Sequence, residues 1–181
     1  MNIEKLIRKS VEGNLRAQKL LYEKYIDFLF SIVLRYIGNE ADAEDVLLQS
    51  FQKIFLNLEE FNYLNEKAFV GWMKKIVINE ALMFIRKEFS TIYKLEQLDD
   101  VKETVFVMPE LVDENELIEL IEQLPKGYKT VFLLHVVDGY SHKEIALNLK
   151  IRESTSRSQF FKARNLLQKK LANYYGTAIG S

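Results

Sequence analysis

The sequence has no cysteine, two prolines, seven glycines, two histidines and one tryptophan in 181 residues. Without cysteine there is no disulfide framework, no thiolate-held zinc or iron–sulfur cluster, and no thiol nucleophile. Two separated histidines without cysteine do not make a metal site either. Few glycines and prolines, and almost no alternating β-branched runs, argue against sheets. No apolar run approaches the roughly 18 residues of a membrane span. The start, Met1-Asn2-Ile3-Glu4-Lys5, lacks the charged-then-apolar layout of a signal peptide. A soluble, cytoplasmic protein with no membrane insertion is therefore expected. There is no phosphate-binding glycine loop, no dinucleotide fingerprint and no Ser/His/Asp series, so neither catalysis nor a cofactor has an evident carrier, and the protein is not expected to be an enzyme.

What is present is charge, sorted along the chain. The formal net charge is −1. Residues 1–66 hold 8 basic and 11 acidic side chains, residues 67–89 hold 5 and 2, residues 90–124 hold 2 and 10, and residues 125–170 hold 10 and 3. Two basic blocks flanking an acidic one suggest two surfaces for a polyanion, separated by a segment that repels it. For any single block a solvated helix face is the favoured explanation of the charge. The block at 125–170 is set apart by a motif it coincides with.

Apolar residues recur at helical spacing from Leu15 to Ile37, with Gly38-Asn39 as a C-terminal stop. A second helix is expected over about 41–58, where Leu47, Phe51, Ile54, Phe55 and Leu58 form a core face. A third is expected over about 68–87, with Phe69, Trp72, Met73, Ile76, Leu82 and Ile85 as its apolar content. Trp72 shares a face with Phe69, Met73 and Ile76 and reads as a core anchor. Tyr63, in the loop between these helices, is as open to stacking as to burial. Residues 88–115 break the periodicity and read as a linker. It resumes at Leu117, stops at Pro125-Lys126-Gly127, and continues as a helix from about Tyr128 to Val137. His135 on that helix reads as a satisfied core histidine, and His142 as a residue that follows a cap.

Ser141-His142-Lys143-Glu144 has the form of a capping box, and the short helix it opens carries Ile145, Ala146 and Leu149 on one side. After a turn, Ser154-Thr155 starts a basic helix that runs to about Leu171. Two helices joined by a turn of about four residues, the second basic, predict a helix-turn-helix. On that second helix Ser156, Phe160, Ala163 and Leu167 are spaced to face the core. Thr155, Arg157, Ser158, Phe161 and Lys162, with Gln168, are then expected to face outward. Cations and an aromatic ring on one exposed face suit a major groove, where phosphates attract the former and a thymine methyl can meet the latter.

Three sets of residues, in this order, resemble the extracytoplasmic-function group of bacterial RNA polymerase sigma factors over about residues 5–171. They are Ala43-Glu44-Asp45-Val46; Phe69-Val70-Gly71-Trp72-Met73 through Asn79 to Arg86-Lys87; and Leu124-Pro125 followed by Ser141-His142-Lys143-Glu144-Ile145-Ala146 and Ser154-Thr155-Ser156-Arg157-Ser158. The resemblance implies an all-α protein of two small helical domains joined by an acidic linker, divided as 1–88, 89–113 and 114–174, with a tail over 175–181. It implies core RNA polymerase and promoter DNA as partners, with an anti-sigma factor as a further possibility. The helix of Asp45, Gln49 and Gln52 would dock on polymerase. The loop from Phe61 to Lys67, with Asn62, Tyr63 and Asn65, and the helix through Asn79 would handle the opened minus-ten element, with Lys74, Lys75, Arg86 and Lys87 on phosphates. The helix from Ser154 would read the minus-thirty-five element as duplex.

Four positions depart from the family pattern. Leu48 and Gln49 stand where Gln and Glu are common, and Met83 stands where a polar residue is. Ser156 replaces a usual Val, a loss of roughly 1–3 kcal/mol of apolar burial unless its hydroxyl bonds the preceding turn. The alternative is an autonomous helix-turn-helix regulator, which would have no need of a polymerase-docking domain.

Overall fold

Each helix of the N-terminal half opens on an asparagine whose side chain takes over one of the amides a helix start leaves unpaired. Asn2 accepts from the amide of Glu4, Asn14 from that of Ala17, Asn39 from that of Asp42 and Asn65 from that of Ala68. The helices so opened are α1 (Ile3–Val11), α2 (Leu15–Ile37), α3 (Glu40–Leu56) and α4 (Glu66–Ile92). Gly38 ends α2 at φ 79°, a left-handed conformation that side chains with a Cβ disfavour. A 3₁₀ turn, Leu58–Glu60, follows α3. The computed structural model describes residues 2–92 and 114–178, with side chains over 2–86 and 116–172. The expected linker over 89–113 therefore lies largely outside the described residues, as do residues 179–181. Among the described residues there are helices and turns but no strand.

The chain divides after Glu88 into two compact units. In the first, α1 packs on α2, α2 on α3, and the 3₁₀ turn on α1 and α3. Leu29, Ile32, Val33, Ala43, Val46, Ile54, Phe69, Met73, Val77, Ile78 and Ile85 are at most 2% exposed and fill its centre. Two ion pairs fasten α4: Lys53 of α3 to Glu80 at 2.7 Å, and Lys24 of α2 to Glu66 at 2.9 Å. Helix α1 is an addition to the sequence-based expectation, which begins at Leu15.

In the second unit α5 (Glu114–Glu122), α6 (Lys126–Phe132), α7 (His142–Leu149) and α8 (Glu153–Ala178) surround a core of Leu124, Val131, Phe132, Leu133, Leu134, Ile145, Leu149, Ala163, Leu167 and Leu171. Helix α8 packs on α5, α6 and α7. The helix expected to run to Val137 instead widens at Leu133–Val137 into a π turn, with the amide of Asp138 donating to the carbonyl of Leu133. At the far end α8 continues past 174 to Ala178, because Ala172-Asn173-Tyr174-Tyr175 contains no helix breaker. Among the described residues no helix is long and apolar enough to cross a membrane.

Candidate nucleic-acid interface

The helix-turn-helix forms as the capping box requires: Ser141 Oγ accepts from the amide of Glu144, and the Glu144 carboxylate accepts from the Ser141 amide at 2.8 Å. Helix α7 ends at Lys150, whose φ of 57° turns the chain toward α8. Ala146, 9% exposed, is buried on α7, which packs on α8. On α8, Arg157 and Gln168 are exposed and Phe161 and Lys162 half-buried, so these remain available to a groove.

Thr155 and Ser158 correct the expected outer face, for they are only 9% and 7% exposed. Thr155 lies one turn from Gln159, itself 3% exposed, on the flank of the packed face rather than opposite it. Ser158 is short, and side chains one turn further on, those of Phe161 and Lys162, lean toward the helix N-terminus over its position. Its Oγ has no hydrogen-bond partner among the described residues. Ser156 is fully buried as expected, but its hydroxyl does not serve the preceding turn. It meets Nδ1 of His142 on α7 at 2.9 Å, a polar fastening between the two helices of the motif.

In the first unit, Asp45, Gln49 and Gln52 are all exposed on α3, on the side opposite buried Leu47, Phe51 and Ile54. Leu48 and Leu56, 52% and 80% exposed, lie among them, so this outer face mixes amides and an acid with unburied apolar surface. Tyr22, Ile26, Asp27 and Phe30 of α2 form a groove with Glu44, Leu47 and Leu48 beside that face.

The loop after the 3₁₀ turn is held at both ends. Phe61 packs on Trp72 at 4.9 Å and on Phe69 at 5.3 Å, which makes half-buried Trp72 an anchor of the loop. At the other end Glu66 accepts from the Tyr25 hydroxyl at 3.0 Å and pairs with Lys24. Hydrogen bonds from Lys24 and then Tyr25 lower the Glu66 pKa, while burial and then the bond to Glu66 raise that of Tyr25 above the usual phenol range. Between these anchors Asn62 and Leu64 are exposed and Tyr63 half-buried. Asn65 is brought to the same loop, but its carbonyl oxygen is already engaged as the cap of α4.

Along α4, Trp72, Lys75, Asn79 and Arg86 share one stripe by helical spacing, with Met83, 49% exposed, among them. Lys75 is exposed, Lys74 and Asn79 are half-buried, and half-buried Arg86 donates from Nε to the carbonyl of Leu82 at 3.3 Å. Lys87 follows on the same helix, its side chain outside the described residues. Sequence reasoning missed Glu66 and α1. Asn2, the cap of α1, and Lys5 and Arg8 within it wall a cleft of about 520 Å³ with Leu58, Phe61 and Tyr63. The cation-plus-apolar pattern Lys5-Leu6-Ile7-Arg8 was the available signal.

The architecture thus defines a class: a two-part helical protein, one part bearing a basic helix behind an anchored loop and the other a helix-turn-helix. Residues 21–90 match the Sigma-70 region 2 family, and residues 114–167 match the family of Sigma-70, region 4. Together these stretches take in more than half of the chain. The chain is 29% identical over 186 residues to the ECF RNA polymerase sigma factor SigW of Bacillus subtilis, covering 94% of this chain and 97% of that one. It is 27% identical over 179 residues to the ECF RNA polymerase sigma-E factor of Haemophilus influenzae, covering 92% and 93%. Among solved structures, the sigma factor RpoE of Bartonella quintana, in complex with the anti-sigma factor NepR, aligns with a TM-score of 0.48 and 20% identity over 84% of this chain and 95% of that chain. The chain belongs to the extracytoplasmic-function group of sigma factors, which direct RNA polymerase to promoters.

Proposed function

We propose that the two units divide promoter recognition, the first docking on core polymerase and holding the opened minus-ten strand, the second gripping the minus-thirty-five element as duplex. The outer face of α3, with Asp45, Gln49 and Gln52 around Leu48, is the docking surface. Asn62 and Tyr63 of the loop, with Lys74, Lys75, Asn79, Arg86 and Lys87 of α4, engage the single strand; Asn65 supports the loop by capping α4. Arg157, Phe161 and Lys162 of α8 enter the groove, with Thr155 and Ser158 supporting that helix from within rather than touching bases. The protein acts in the cytoplasm and performs no chemistry of its own. An anti-sigma factor would mask the face of α3, where Leu48 and Leu56 are left uncovered.

The observation that carries this reading is the anchored loop: Phe61 packs on the head of the same helix whose stripe holds Lys75, Asn79 and Arg86, and Glu66, where that helix begins, is tied to Tyr25 and Lys24 of α2. A loop held this way presents Asn62 and Tyr63 to a strand whose phosphates the stripe attracts, and base-on-aromatic stacking contributes roughly 1–3 kcal/mol per base. An autonomous regulator does not account for residues 21–90 matching region 2. The test is transcription reconstituted from core polymerase and this chain on a promoter library. Asp45→Lys is expected to abolish capture of core polymerase. Arg157→Ala with Lys162→Ala is expected to leave capture intact and to lower the salt slope of minus-thirty-five binding by about two. An unchanged salt slope, or normal capture by Asp45→Lys, overturns the assignment.

A further inference from the structure

The chain has two histidines, and although they lie on different elements their rings are stacked. His135 of the π turn and His142, the first residue of α7, have ring centroids 4.3 Å apart and planes 23° from parallel. Phe160 of α8 closes the group, edge-on to His135 at 4.7 Å and tilted against His142 at 5.5 Å. Phe132 of α6 stacks on Phe160 at 6.1 Å. Nδ1 of His135 lies 2.8 Å from the carbonyl oxygen of Tyr140, and Nδ1 of His142 lies 2.9 Å from Ser156 Oγ. A carbonyl only accepts, so Nδ1 of His135 carries a proton. One aromatic group thus joins the segment before the motif to both of its helices.

We propose that this stacked pair is an acid-sensitive latch, which holds α8 on α7 while the two rings carry at most one positive charge and releases it when both are charged. Two imidazolium charges at this separation, partly shielded from water, repel each other across the stack. His142 stands in the first turn of α7, where the helix dipole opposes a cation. Ser156 is fully buried, so charging Nδ1 of His142 forces its hydroxyl to accept rather than donate.

Charged side chains stand on every element around the stack. Asp138 and Tyr140 follow the π turn, Lys143 and Glu144 are on α7, Glu153, Arg157 and Arg164 on α8, and Lys129 on α6. Glu144 is engaged by the Ser141 amide and hydroxyl, Glu153 by Arg157, and Lys129 by Glu122. The Arg164 guanidinium lies over the Phe160 ring at 5.5 Å, so a second imidazolium would be the third cation around that ring. The sign follows from linkage. Repulsion within the stack opposes the doubly charged pair only in the folded unit, so the hold is expected above the ordinary imidazole range and is lost as pH falls through it.

Hydrogen exchange on the full chain, corrected for intrinsic rates, tests the latch at about pH 7.5 and about pH 5.5. Protection over 142–160 is expected to fall at least about tenfold at the lower pH while that of α2 and α3 holds. In His135→Asn, which leaves one imidazole, the drop is expected to shrink to about threefold or less. Equal protection of wild type at both pH values overturns the latch, and so does a full-sized drop in His135→Asn. If that variant does not fold, His142→Asn serves in its place. The consequence for DNA rests on the reading of α8 as the duplex-reading helix. Acid should loosen minus-thirty-five binding by the holoenzyme at constant ionic strength, whereas added protons alone would tighten a basic helix on phosphate. An exchange response without this loosening upholds the latch and counts against the reading of α8. Loosening without an exchange response overturns the latch.

Discussion

The two units use different materials for the same task of holding helices together. In the first, apolar side chains dominate the buried positions, and the buried polar ones among the described residues are Ser10, Ser50 and Glu80. In the second, the buried side of α8 is polar in its first half, with Thr155, Ser156, Ser158 and Gln159, and apolar only later, with Ala163, Leu167 and Leu171. The difference follows from what each helix must present. In the first unit α3 turns one face inward and another outward, so packing and display are separated. On the reading proposed for α8, its start must both pack and enter a groove within two turns, and short polar residues allow close approach with directional bonds. Stability in the first unit should therefore track buried area, and in the second it should track particular polar contacts.

The largest expected effect tests the first half of that statement. Phe69 is 1% exposed and packs against Tyr25, Phe61 and Trp72, so Phe69→Ala should cost about 3–5 kcal/mol in denaturant unfolding and release the loop it anchors. Next is the exception to the apolar rule. The Glu80 side chain is 8% exposed and its partner Lys53 44%, so the pair should respond unequally to removal of either side. Lys53→Met strands a buried carboxylate and should cost about 2 kcal/mol, less than a fully buried pair because water reaches the lysine end. Glu80→Gln leaves a lysine that can turn to solvent and should cost about 1 kcal/mol or less. Equal costs would mean that burial at this pair is not asymmetric.

A third experiment separates the units by pH. The Tyr25 phenol is held above its ordinary range by burial and by its bond to Glu66. The folded state therefore keeps a proton that the unfolded chain gives up near about pH 10. That contribution is present below this pH and lost as pH rises through it, by up to about 1.4 kcal/mol per pH unit. Trp72, the single tryptophan, reports on this unit by fluorescence, and Tyr25→Phe should flatten the alkaline slope. A slope unchanged in that variant would assign it to other groups. The Glu66 carboxylate has the opposite sign, its pKa being lowered first by the bond from Lys24, so its contribution is present at neutral pH and fades as acid protonates it.

The amphipathic helices and their ends were legible because apolar spacing and caps are local signals. Leu47, Phe51 and Ile54 gave the inner face of α3, whereas Asp45, Gln49 and Gln52 came only from the family resemblance, and the fold leaves all three exposed. Ser141 and Glu144 gave the start of α7. Helix α1 escaped because its nine residues bury only Ile3, Leu6, Ile7 and Ser10 among four charged side chains, too short a stretch for a period to emerge. The burial of Thr155 and Ser158 was illegible for another reason, since short polar residues fit either face. The meeting of His135 with His142 depends on a π turn and on the fold of the whole motif, which no spacing rule spans. Asn65 shows how one residue type can mislead: an asparagine in a loop suits a base edge, yet its carbonyl oxygen is spent on the cap of α4.

The smallest effect is the sharpest comparison, because it places the same residue type in both units. Ser50 and Ser156 are each 0% exposed. Ser50 Oγ donates to the carbonyl of Val46 in its own helix, at 2.7 Å. That carbonyl already accepts the helix bond one turn on, so Ser50→Ala leaves no orphan and should change stability by less than about 0.5 kcal/mol. Ser156 Oγ instead joins α8 to His142 of α7. Ser156→Ala removes a bond between helices and leaves half-buried His142 Nδ1 to find another partner, at a cost of about 1 kcal/mol. Unfolding both variants at neutral pH, with hydrogen exchange to assign the loss to its unit, gives the ranking. If Ser50→Ala proved the more costly, the contrast between a core that packs and a core that bonds would fail at the position chosen to display it.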